Sequence, residues 1–163
     1  MTLKWLNSLG GPLILLPEEL VGHWRGMDGG DYDRACAVDD YVGLVDVNTG
    51  TGLVLDDEPL QTCWSALSAE SGMLVRWVHA DSEASVTNAL RNVPASIWEV
   101  TRLRIRTESG KFLLFDSVLS GKEVEDSLLI AVRPGIYAID SAEYRPDAKT
   151  CLILHRLRPS DET

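Results

Sequence analysis

From Ile97 onward the chain is cut by turn signals every 8 to 14 residues, and this spacing constrains the fold more than any other feature. Glu108-Ser109-Gly110, Arg133-Pro134-Gly135 and Arg145-Pro146-Asp147-Ala148 each supply residues that break a regular element. The segments between them, Lys111 to Asp116, Ser127 to Val132, Ile136 to Tyr144 and Thr150 to Leu157, are β-rich and too closely spaced to admit crossover helices. Alternating α/β units are therefore excluded. The expected class is mainly β, an antiparallel β-sandwich or partly open barrel. Ile97 to Thr107 alternates, with Thr101, Leu103 and Ile105 on one face and Arg102, Arg104 and Arg106 on the other, the period of a half-exposed strand. The arginine stripe reads as the solvated face of an edge strand, protected by its charge. The last three strands are expected to pair consecutively through the Pro134-Gly135 and Arg145 to Ala148 turns.

Upstream the signals are more mixed. A Gly-Gly-Pro turn in Trp5 to Pro17 releases a short continuous apolar run closed by a second proline, the mark of a strand buried on both faces. Pro17 suits a first helical position and Glu18 and Glu19 suit a helix N-terminus, so residues 17 to 24 predict one or two helical turns, with a loop following to about Asp33. Tyr41 to Leu55 predicts a hairpin about Asn48-Thr49-Gly50-Thr51-Gly52. Leu74 to Ala80 reads as a strand, and residues 81 to 90 as a short helix capped by Asp81 or Ser82.

With 163 residues, 45% of them apolar and 25% charged, residues 1–163 can form one domain with a core that needs no disulfide or metal. No apolar run approaches the roughly 20 residues that cross a bilayer, and the longest, Pro12 to Pro17, is shorter than a signal-peptide core. The expectation is a chain that starts at Met1 and stays in the cytoplasm. Cys36, Cys63 and Cys151 are odd in number, far apart and without CxxC spacing, which predicts reduced and mostly buried thiols.

Charge is concentrated in one place. Asp28 to Glu58 holds nine carboxylates against the single base Arg34, a local charge of −8 in a chain of −10. Ionised carboxylates without partners are not buried, yet Tyr41, Val42, Leu44, Val45, Val47, Leu53, Val54 and Leu55 thread the stretch with more apolar residues than a disordered acidic tail carries. It reads as folded backbone presenting a negative face. Asp28, Asp31, Tyr32, Asp33, Asp39, Asp40, Asp56 and Asp57 are the expected partner-binding residues, with Trp24 beside the loop as an aromatic anchor. A chain of pI near 4.7 does not suit nucleic acid or an anionic membrane, which need clustered Lys and Arg, but it permits a basic protein partner.

Catalytic and metal-binding hardware is sparse. His23, His79 and His155 have no ligand spacing, and Arg34-Ala35-Cys36-Ala37-Val38 is no nucleophile motif. Asp31-Tyr32-Asp33 with Asp39-Asp40 departs from the calcium-loop pattern and lacks a closing Glu, while Gly10-Gly11 lacks the Lys-Ser/Thr ending of a phosphate loop. No metal, cofactor or catalytic residue is expected.

The ordered pieces Trp5 to Pro17 with its Gly-Gly-Pro, Trp24-Arg25-Gly26, Asp31-Tyr32-Asp33-Arg34-Ala35-Cys36, Tyr41-Val42-Gly43-Leu44 and Asp57-Glu58-Pro59 resemble the immunity protein 21 family of bacterial polymorphic toxin systems, over about Trp5 to Leu157. The resemblance implies a mostly β fold and a cytoplasmic antitoxin, encoded beside a toxin whose active domain it blocks, with no catalytic residues to carry over. Many such toxins act on nucleic acid through basic surfaces, which an acidic inhibitor can occupy. The alternatives are a ligand-binding β-barrel module, which needs an apolar cavity, and a small hydrolase or transferase, which needs a pocket of convergent titratable groups.

Overall fold

A computed structural model describes residues 3–56 and 59–161. Two antiparallel five-stranded sheets pack face to face without closing into a barrel; strand makes up 47% of the described residues and helix 16%, which places the protein in the mainly β class. The first sheet contains β1 (Leu13–Pro17), β2 (Val42–Val47), β3 (Gly50–Leu55), β7 (Lys111–Asp116) and β8 (Leu128–Ala131), in the order β2-β3-β1-β7-β8. The second contains β4 (Thr62–Ala66), β5 (Gly72–His79), β6 (Glu99–Thr107), β9 (Gly135–Asp147) and β10 (Thr150–Ser160), in the order β4-β5-β10-β9-β6. Among the described residues three α-helices, α1 (Glu18–Val21), α2 (Asp31–Cys36) and α3 (Glu83–Leu90), and two 3₁₀ turns, Gly26–Gly29 and Ala95–Ile97, lie outside this frame.

Leu13, Leu15, Leu53, Leu55, Phe112 and Leu114 from the first sheet meet Leu74, Ile105, Tyr137, Ile139 and Leu157 from the second in the central core. The outer face of each sheet is also covered. Ile14, Leu16, Val54 and Phe115 pack beneath Leu20 of α1, Trp24 and Ala35 of α2. Met73, Val75, Leu152 and Leu154 pack beneath Val86 of α3, with Trp5, Trp77 and Trp98 at the margin. Double coverage explains the unbroken apolar run of β1: it sits centrally, paired to β3 and β7, and every one of its residues is buried. By contrast β6 is an edge strand, and its alternation survives as buried Ile105 and Thr107 between exposed Arg104 and Arg106.

The hairpin at Asn48-Thr49 closes tightly, Val47 opposite Gly50, with Asn48 at φ 52°. Ser82 caps α3, its hydroxyl accepting from Ser85 N. Two expectations are corrected. The strand at 127 to 132 does not pair with the strand after it; β8 pairs with β7 in one sheet, whereas β9 pairs with β10 and β6 in the other. Arg133-Pro134-Gly135 is a corner that carries the chain across the core, because Pro134 has no N–H for a hairpin ladder and Gly135, at φ 151°, takes a conformation closed to other residues. The Glu108-Ser109-Gly110 corner crosses back beside it, and Val132 N donates to Gly110 O over 2.8 Å. Secondly, β9 runs on to Asp147, so the final turn is confined to Ala148-Lys149. The structure adds β4 and α2, both too short to give a periodic signal. No described helix is long and apolar enough to cross a membrane.

Candidate functional site

The acidic stretch folds in two parts with different roles. The first is a 3₁₀ turn, Gly26–Gly29, followed by α2, which lies over the outer face of the first sheet. Asp31 opens α2 and, contrary to expectation, is buried: its carboxylate accepts from Arg25 N over 2.8 Å and from Arg34 Nη2 over 2.6 Å. Arg34 in turn donates through Nη1 to Asp46 O at 2.7 Å, tying the helix to β2. Asp31 is thus a clamp for the helix and not a surface charge. Asp28 and Asp33 remain exposed. Tyr32 is half-buried against the Gly10-Gly11 turn, where a side chain at Gly11 would meet its ring at 2.7 Å; a hydrogen bond with Cys36 and the nearby carboxylates of Asp116 and Asp33 push its phenol up.

The second part is an end of the sandwich. Asp39 and Asp40 are exposed where the chain enters β2, and Asp56 N donates to Tyr41 O over 3.0 Å, bringing the end of β3 beside them. Burial raises the Asp56 carboxyl, the Asp39 charge raises it further, and Arg76 opposes both. Asp57 lies outside the described residues. Here the sheets part: β2 and β6 are edge strands, and Asp40 and Tyr41 face Glu99 and Val100 across a cleft. Glu99, Val100 and Tyr41 were missed as site residues because the first two lie far outside the acidic stretch and Tyr41 reads as part of a strand.

Trp24 is the principal correction. Expected as a partner contact, it is fully buried in the apolar layer over the first sheet, with its indole N–H donating to Ser117 O at 3.0 Å. A large apolar ring that finds a polar partner for its N–H belongs in a core. Of the thiols, Cys63 and Cys151 are buried as expected and Cys36 is exposed; burial pushes the Cys63 thiol up to about 12.

Catalytic geometry does not assemble around the histidines. His23 Nε2 lies 3.5 Å from Asn48 Nδ2, His79 Nδ1 lies 3.0 Å from Lys149 O, and His155 is buried between the sheets. A groove of about 380 Å³ lies over Gly22, His23, Arg25, Asp28 and Lys122, and its charges are mixed in sign. Among the described residues no three of His, Cys, Asp and Glu converge as a metal-holding group.

A protein-family model described as Immunity protein 21 matches residues 4–150. The chain belongs to the immunity protein 21 family. No curated protein and no solved structure matches it. Family membership implies an immunity protein whose partner is a toxin, and suggests a role without catalysis. For an immunity protein the exposed carboxylates and the cleft between β2 and β6 are the surfaces of interest, since a binding function needs an accessible, chemically distinctive face and no convergent catalytic group.

Proposed function

We propose that this immunity protein is cytoplasmic and neutralises a cognate toxin of a polymorphic toxin system by direct contact, without catalysis, through the carboxylates gathered where α2 leads into β2. The family match over residues 4–150 carries the reading. Its electrostatic part is supported by Asp33, Asp39 and Asp40 being exposed, and by Asp56 standing close enough to Asp39 to feel its charge. A net charge of −10 disfavours nucleic acid and anionic membrane and favours a basic protein surface. Exposed charges of this kind act chiefly on encounter, raising association rates in a salt-dependent way.

The test replaces Asp33, Asp39, Asp40 and Asp56 together by Asn, leaving the structural Asp31 in place. Association with the toxin domain encoded beside the protein is then followed by stopped flow at about 0.05 and 0.5 M salt. The expected result is association about tenfold slower at low salt and a flattened salt slope. Unchanged rates at both salts would place the contact elsewhere.

A further inference from the structure

The cleft in the open seam has features that an acidic rim alone does not explain. It measures about 250 Å³ and is lined by Asp40, Tyr41, Glu99, Val100, Leu103 and Ser141. A recess of about 140 Å³ shares Tyr41, Glu99 and Ser141 with it and reaches His155. Each is smaller than the roughly 300–1,000 Å³ of a small-molecule pocket and suits one long side chain. Tyr41 and Val100 are 63% and 68% exposed, which puts them among the most exposed apolar side chains of the described residues, and both line this cleft. Neither Asp40 nor Glu99 has an ion-pair partner among the described residues, whereas Glu143, also in the recess, is held by Arg145 at 2.8 Å.

Two further observations point to an occupant. His155 is fully buried; its Nδ1 lies 2.8 Å from Ser141 Oγ, and its Nε2 has no hydrogen-bond partner. Buried polar atoms are almost always satisfied, and His155 lines the recess within reach of the Arg76 charge, so its unpartnered Nε2 marks the recess as a place for an added polar group. The β6 strand also carries a bulge where it lines the cleft: register slips between Val100 and Arg104, Arg102 sits at φ 65°, and Thr101 Oγ1 donates to Ile139 O over 2.7 Å while accepting from Leu103 N. Such strained bulges concentrate beside functional sites.

We propose that this cleft receives an arginine side chain of the toxin, its stem between Tyr41 and Val100 and its guanidinium on Glu99 and Asp40, with one N–H donated to His155 Nε2. This rests on the direct-contact reading above. Guanidinium fits better than ammonium because its planar fork can serve two carboxylates and an imidazole together and can stack on Tyr41. With Nδ1–H donating to Ser141 Oγ, Nε2 presents a lone pair.

The test uses N-acetylarginine amide as probe, titrated into the intact protein and followed by NMR. Saturable shifts are expected at Tyr41, Val100, Thr101 and the His155 ring, about tenfold weaker with neutral N-acetylcitrulline amide and with the E99Q variant. Equal responses to the two amides, or no saturable shift at these residues, would overturn the proposal. Against the toxin domain, E99Q and Y41A should each speed dissociation about tenfold. A complex whose dissociation is unchanged in both variants removes the arginine anchor and leaves direct neutralisation standing; no complex with the unaltered protein removes both.

Discussion

Replacing Trp24 by alanine separates a core tryptophan from a partner contact. The ring is fully buried among Ile14, Leu16, Leu20 and Phe115, and truncating such a side chain costs about 3–5 kcal/mol in lost burial and cavity. Ser117 O loses its 3.0 Å donor, which adds about 1 kcal/mol. A total near 4–6 kcal/mol corresponds to a fall in Tm of about 8–24 °C for a domain of this size, and consumes much of the roughly 5–15 kcal/mol that holds a domain folded. Trp24→Phe keeps an aromatic ring and loses the donor, so about 1–3 kcal/mol is expected. Urea unfolding of the three proteins, with the slope monitored for two-state behaviour, gives the comparison. An alanine variant within about 1 kcal/mol of the parent would refute the core assignment, and weakened toxin binding with unaltered stability would restore Trp24 to the interface.

Two predictions concern pH. Burial would raise the Asp140 carboxyl, but hydrogen bonds from Arg158 and Arg156 at 2.6 and 2.8 Å outweigh it, so the group sits below its ordinary value of 3.8. Its contribution is complete above that value and is lost as pH falls through the lower folded one, so Asp140→Asn should lower stability at neutral pH and flatten the acid limb of a stability profile. A parallel acid limb in the variant would count against the paired carboxylate. His155 is displaced to about 3 by burial and by Arg76, from 6.5. The unfolded chain takes up the proton first, so stability should decline from pH 6.5 downward, and the ring should still give neutral-imidazole resonances at a pH of about 5. A titration midpoint near 6.5 would show the ring to be hydrated.

Much of the architecture was already present in the one-dimensional pattern. The turn signals, the period-two alternation of β6 and the continuous apolar run of β1 specify strands and exclude crossover helices, because backbone geometry ties side-chain direction to sequence spacing. Partnership between strands is a different matter. Pro134-Gly135 looks the same in a hairpin as in a corner between sheets, and only burial of both inner faces against each other decides that β8 and β9 separate. Carboxylates behave likewise. Composition marks Asp28 to Glu58 as acidic, but Asp31 becomes a helix clamp because Arg25 N and Arg34 converge on it, and Trp24 becomes core because α1 and α2 close over the same sheet. The cleft itself joins Asp40 and Tyr41 to Glu99, Val100 and His155. Local sequence determines which segments become strands and where charge is concentrated; the site depends on which edges the two sheets leave apart, and that is fixed by contacts between residues remote in the chain.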